Sequence, residues 1–334
     1  MPGLPVGGCM GVFALPVLVL LAQAGPPSDP VQGVEVPAPE EQVEVKPVLL
    51  SAIDVIGDEP RFVAPTRLDK IGRIWAPVVV NGQGPYRLVL ATGASHSALT
   101  PHLAQALGLK ANPVDTVMLR GATGSVAVPT VPVETLEVGD LLMRPGRLAI
   151  LPDALGGADG VLGMDGLANK RVHIDFRHDR ITIMRSKNQR ADSGFETVPV
   201  ELLRERLLVA DAVMGGVPVK AIIDTGGQTT LGNVALRYAL AERRRRGVQE
   251  GKLDQIVGST LDVQVGTRLD TPSLSMGKII VRNPPMTFAD FEIFKHWKMT
   301  GEPAMLIGMD VIGLLDTLII DYRRKELQMR LPRN

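Results

Sequence analysis

The residue best placed to do chemistry is Asp224, which ends the apolar run Ala221-Ile222-Ile223 and leads into Thr225-Gly226-Gly227. A carboxyl group at the end of such a run is a candidate proton donor or acceptor. A second segment has the same shape: Leu88-Val89-Leu90 runs into Ala91-Thr92-Gly93-Ala94. There the aspartate position holds Ala91, whose methyl group can neither accept nor donate a proton. Other chemistry-bearing residues are scattered. The five histidines have no metal-ligand spacing and the sole cysteine is Cys9, so no metal site is expected. No phosphate loop or dinucleotide fingerprint occurs, so no cofactor is expected either. His96 lies close to Ala91 in sequence, but five residues along a turn its side chain is expected to face the following helix or solvent.

The elements that must deliver these turns are readable because the sequence repeats itself. Ala76 to Leu90 reads as a strand, a tight turn at Asn81-Gly82, and a second strand; Leu207 to Ile223 reads the same way around Gly215-Gly216. Both turn dipeptides tolerate positive φ, as short hairpins require. Downstream, Gly160-Val-Leu-Gly163-Met-Asp165 matches Met305-Leu-Ile-Gly308-Met-Asp310, and Val172-His-Ile-Asp175-Phe-Arg matches Leu318-Ile-Ile-Asp321-Tyr-Arg. The offset is 133 positions from Ala91 to Asp224, 145 from Gly163 to Gly308 and 146 from Asp175 to Asp321. The second copy therefore carries about a dozen extra residues, expected in the charged stretch Glu242 through Lys252. A short helix signal follows each turn: Thr100 as N-cap with Pro101 at the first helical position, and Asn233 through Leu240 in the second copy. Asp165, Asp310, Asp175 and Asp321 recur in both copies and read as turn, cap or ion-pair residues rather than catalytic ones.

Length and composition agree with this duplication. A chain of 334 residues suggests two domains, and 35 Gly and 26 Pro among apolar runs suit short strands and many turns. The formal net charge of zero gives no basis for steering toward nucleic acid. Val12 to Leu21 is almost wholly apolar and is followed by Ala22-Gln23-Ala24, so residues 1–24 read as an export signal with cleavage after Ala24. Met1 to Gly8 lacks Lys and Arg, which leaves an uncleaved membrane anchor or a misplaced start as alternatives. Either way the body of the chain is expected to be exported, periplasmic or extracellular. Residues 25–66, with a Pro-, Val- and Glu-rich stretch to about Pro47, read as a linker or arm, and ordered patterning starts near Arg67.

An apolar strand ending in Asp-Thr-Gly, a short helix after it and an apolar-apolar-Gly segment downstream, all occurring twice, resemble the retropepsin-like branch of the pepsin superfamily of aspartic proteases. The resemblance covers about four-fifths of the chain. It implies an all-β fold with a few short helices: two tandem retropepsin-like barrels, residues 67–190 and 195–331, related by a pseudo-twofold within a monomer. It also implies a peptide or protein substrate held extended in the cleft between them. Two carboxylates at the lobe interface would share a proton, one drawing a proton from water and the other donating to the scissile carbonyl. On this resemblance the catalytic set is Asp224, Thr225 and Gly226 facing Ala91, Thr92 and Gly93. The threonines would tie the turns together, and the glycines would let the backbones approach. Gly121-Ala122-Thr123-Gly124-Ser125 falls where a flap would close over substrate, with Gly258-Ser259-Thr260 as its counterpart; an ordinary hairpin turn has the same backbone. Three readings of Ala91 stand open: a substituted active peptidase, a natural inactive peptide-binding or regulatory protein, or pairing of Asp224 turns from two chains.

Overall fold

Two hairpins begin the two halves of the fold. Trp75–Val80 pairs antiparallel with Gln83–Leu90, and Leu207–Met214 with Val217–Ile223. Asn81 and Gly82 turn the first, Gly215 and Gly216 the second, all four with positive φ. The computed structural model describes residues 54–56, 62–65, 73–138, 141–153, 155–203, 207–243 and 250–332. The expected export segment at 1–24, most of the 25–66 arm and residues 244–249 of the arginine run lie outside the described residues.

In each half the second hairpin strand runs parallel to a short apolar strand from far downstream. Leu88–Leu90 pairs with Gly160–Leu162, and Lys220–Ile223 pairs with Ala304–Ile307. The downstream strand also pairs antiparallel with the residues just after the glycine turn, Ala98–Leu99 or Leu231–Gly232. Alternate residues at the end of Val217–Ile223 enter different apolar clusters, Ala221 and Ile223 on one face and Ile222 on the other, which is why Ala221-Ile222-Ile223 reads as unbroken apolar sequence. The chain is all-β with four short helices among the described residues: α1 (Pro101–Ala106), α2 (Val234–Arg243), α3 (Glu292–Trp297) and α4 (Met309–Ile312). The Thr100 hydroxyl accepts from the Leu103 amide at the start of α1, and the Asn233 side chain accepts from the Leu236 amide in α2.

The two lobes share one sheet. Lys170–Asp175 of the first lobe pairs antiparallel with Thr317–Asp321 of the second, from Arg171 opposite Asp321 to Asp175 opposite Thr317. Each central strand has its own hairpin partner outside it, Arg180–Arg185 and Glu326–Arg330. Val172, Ile174, Leu318, Ile320, Leu327 and Met329 enter a core that runs through both lobes. Asp321 is fully buried in the join. It accepts from Ser186 Oγ at 2.9 Å and pairs with Arg171 at 3.3 Å, both first-lobe side chains. Asp175 accepts from the His178 backbone and lies against its ring.

Two features differ from the sequence reading. Residues 25–66 carry two short strands: Asp54–Ile56 pairs with Leu141–Arg144, and Phe62–Pro65 with Arg180–Arg185. Val55-Ile56 and Phe62-Val63 are β-formers that add to open sheet edges, in runs too short to show a period. The extra length of the second copy is also divided. Part of it lengthens α2 beyond α1, and part forms α3, which has no helical counterpart between Gly146–Ile150 and Gly160–Leu162 of the first lobe. Phe291, Phe294 and Trp297 fasten α3 into a separate apolar cluster with Leu207, Val209 and Ile222.

Candidate active site

The two glycine turns meet between the lobes, and their backbone bonds correspond one for one. Ala91 N donates to Leu162 O at 3.0 Å, and Asp224 N to Ile307 O at 2.9 Å. Met164 N donates to Ala94 O, and Met309 N to Gly227 O. Each turn is therefore hung from the apolar-Gly strand of its own lobe. Asp165 and Asp310 fix those strands from behind. Asp165 accepts from Ser97 N and Oγ, Asp310 accepts from Thr230 N and Oγ1, and the two hydroxyls in turn accept from Gly163 N and Gly308 N. Burial pushes the Asp165 carboxyl up, and its Ser97 bonds together with a positive charge on His96 act against that.

Thr92 and Thr225 cross between the lobes. Thr92 Oγ1 accepts from Thr225 N at 3.1 Å and donates to Ile223 O at 2.7 Å. Thr225 Oγ1 accepts from Thr92 N at 3.2 Å and donates to Leu90 O at 2.6 Å. Both residues are wholly buried, so all four bonds are shielded from water.

This join presses Gly93 against Asp224 and Gly226 against Ala91. A Cβ on Gly93 would lie 2.5 Å from Asp224 Cγ, and one on Gly226 would lie 2.6 Å from Ala91 Cβ. Neither position has room for a side chain. Asp224 Oδ1 accepts from Gly226 N at 2.9 Å in its own turn and from Gly93 N at 3.2 Å in the other. With a methyl group at position 91, the amides of both turns thus converge on one carboxyl oxygen. Burial pushes the Asp224 carboxyl above the ordinary aspartate value of 3.8; the amides of Gly226, Gly93 and Gly227 and the charge of Arg73 act against it.

The sign of the resulting pH dependence is fixed. Between the unfolded value near 3.8 and the raised native midpoint, the native state holds a proton that the unfolded chain has released. Stability contributed by Asp224 therefore falls as pH rises through that window. Asp224→Asn is expected to melt at a higher temperature than the unaltered chain at pH 7, with the difference closing below about pH 4. Scanning calorimetry across pH measures this. A variant less stable at pH 7 would mean that the amides, not burial, dominate.

Two hairpins meet tip to tip. The first joins Asn112–Arg120 to Ser125–Val133 through Gly121–Gly124; the second joins Lys252–Val257 to Val263–Asp270. Thr123 Oγ1 donates to Asp262 O at 2.8 Å, and Gly121 lies against Ser259. α3 holds both hairpins. Ile293 N donates to Ala122 O at 3.3 Å, while Gln264 of the second hairpin accepts from Glu292 N and donates to Asp290 O. Removing the Thr123 donor costs one partly buried bond, about 1 kcal/mol. Thr123→Val should then speed amide exchange at the two tips by roughly threefold to tenfold. Exchange rates measured by mass spectrometry that stay unchanged would show that α3 alone keeps the tips together.

A model of the aspartyl protease family matches residues 76–165 and 210–311, more than half of the chain. The chain belongs to the aspartyl protease family. No curated protein matches it. The two matched regions each contain one glycine turn, so the family model falls on the chain twice, once per retropepsin-like lobe. Among the described residues no group of three or more His, Cys, Asp or Glu is arranged to hold a metal ion. Two features of this aspartyl protease escape the sequence. α3 announces itself only through Phe291, Phe294 and Trp297, every third residue in a chain with 4% aromatics. Arg73 has no motif at all; its meaning lies in the strand register.

Proposed function

We propose that the cleft binds an extended peptide beneath the paired hairpin tips and holds it without the two-carboxylate hydrolysis of its family. The observation that carries this reading is the convergence of both turns' amides on Asp224 Oδ1, opposite the methyl group of Ala91. A carboxyl raised by burial can donate a proton to a peptide carbonyl, but the site then lacks an ionised partner to take one from water. Asp165 and Asp310, the recurring acids behind the turns, are engaged by Ser97 and Thr230. The ligand is a peptide or unfolded protein segment, the working form a monomer, and the location outside the cytoplasm, after loss or retention of residues 1–24 as an anchor. Calorimetric titration of the chain with a mixture of unstructured peptides, followed by mass spectrometry of the recovered ligand, tests it. Saturable binding with intact peptide is the expected result; cleaved peptide would overturn it. The intact threonine bonds and hairpin tips favour a second reading, an endopeptidase working through Asp224. Cleavage that disappears in Asp224→Asn would establish that one.

A further inference from the structure

The two sides of the cleft floor differ in charge. In the first hairpin Trp75 stands opposite Val89 and Leu90 N donates to Ile74 O at 2.9 Å, which puts Arg73 opposite Ala91. Alternate residues of these strands face alternate cores. Ile74, Ala76, Leu88 and Leu90 enter the core shared by the lobes, whereas Trp75, Val89 and Ala91 join the cluster beneath the first hairpin tip. Arg73 therefore emerges on the same face as residue 91. It is 6% exposed, donates from Nη2 to Leu155 O at 2.6 Å, and packs against Gly156. In the second lobe Val209 stands opposite Ile222, so the residue opposite Asp224 is Leu207, 2% exposed. One side of the floor has a buried guanidinium, and the matching place on the other has an apolar side chain.

We propose that Arg73 is a positioning residue that makes the two halves of the cleft floor unequal, favouring negative charge beside position 91 and leaving Asp224 as the side that bears the proton. A buried cation lowers the free energy of an anion next to it, and an apolar neighbour raises it. Beside the turns stand Arg73 and Leu207 from the first strand of each hairpin and the amides of Gly93, Gly226 and Gly227, while His96 bears on Asp165 behind them. At the hairpin tips Asp262 packs against Gly124, and behind the turns Asp165 and Asp310 are turned onto Ser97 and Thr230. The charge of Arg73 reaches Asp224 as well, where it favours the ionised form. In an Ala91→Asp chain the residue at 91 would accordingly be the base and Asp224 the acid.

The test is carboxyl-carbon NMR of aspartate-labelled protein, with Arg73→Gln and Arg73→Lys made in both the unaltered and the Ala91→Asp chain. In the unaltered chain Arg73→Gln is expected to shift the Asp224 titration midpoint upward. In the Ala91→Asp chain the two midpoints should draw together, with the acid limb of kcat/KM moving to higher pH; Arg73→Lys should restore both. Titrations unmoved by Arg73→Gln, with only thermal stability reduced, would overturn the proposal. If the Gln variant does not fold, Arg73→Met keeps the apolar stem and gives the same readout. The kinetic arm rests on the cleft reading above, the NMR arm does not. An Ala91→Asp chain without peptidase activity would count against that reading while the titrations still decide this one.

Discussion

Ala91→Asp is expected to turn the chain into a peptidase, raising hydrolysis of a denatured protein mixture by at least 10²–10⁴-fold, the usual scale of general acid–base assistance. Room for the carboxylate follows from the join itself. Gly226 lies against residue 91 as Gly93 lies against Asp224, so a carboxyl at 91 would occupy the mirror of a place that one already fills. Gly93 N, which now donates across the interface to Asp224 Oδ1, is placed to serve the new carboxylate instead. Two carboxyl groups so close cannot both ionise readily and would share a proton, giving a bell-shaped pH profile that belongs to the pair. Adding Asp224→Asn to this variant should abolish the gain. Hydrolysis by the unaltered chain that survives Asp224→Ala would exclude an aspartic mechanism outright.

The largest loss of stability is expected at the crossed threonines. Thr225→Val removes a hydroxyl that accepts from Thr92 N and donates to Leu90 O, and leaves both groups buried without a partner. Each such orphan costs about 1–3 kcal/mol, so roughly 2–6 kcal/mol should be lost in urea unfolding. Thr92→Val strands Thr225 N and Ile223 O in the same way. The double variant should lose less than the sum, because the two hydroxyls form one network. Thr92→Ser keeps the hydroxyl and should cost only about 1 kcal/mol for the missing methyl. Valine variants as stable as the parent would mean that water enters the join and replaces the lost bonds.

Much of this was legible in the residues because the turns depend on local properties. Ala221-Ile222-Ile223 is a strand buried on both faces, and such strands announce themselves as unbroken apolar runs. Asn81-Gly82 and Gly215-Gly216 carry their positive φ in their chemistry. Repetition at nearly constant offset then ties the pieces together. What stayed hidden depends on partners distant in sequence. Thr123 and the Asp262 carbonyl are 139 residues apart, and nothing local in either hairpin says that the tips touch. Arg73 looks like one arginine among many until the register sets it beside Ala91. Charge makes the stretch from Glu242 to Lys252 the conspicuous place for the extra residues of the second copy, whereas a six-residue helix such as α3 is too short to show a period.

The sheet that joins the lobes also orders their assembly. Lys170–Asp175 is finished long before Thr317–Asp321 exists, so a nascent first lobe ends in a strand with one side of its backbone unpaired. Its Val172 and Ile174 belong to a core completed by Leu318, Ile320, Leu327 and Met329, all near the end of the chain. The first lobe cannot reach its final stability during synthesis, and its open edge must be shielded from other chains until the last strands arrive. The finished molecule should accordingly melt in a single transition. A chain cut at residue 310 should lose structure in both lobes, since the missing strands are the middle of the sheet and not its rim.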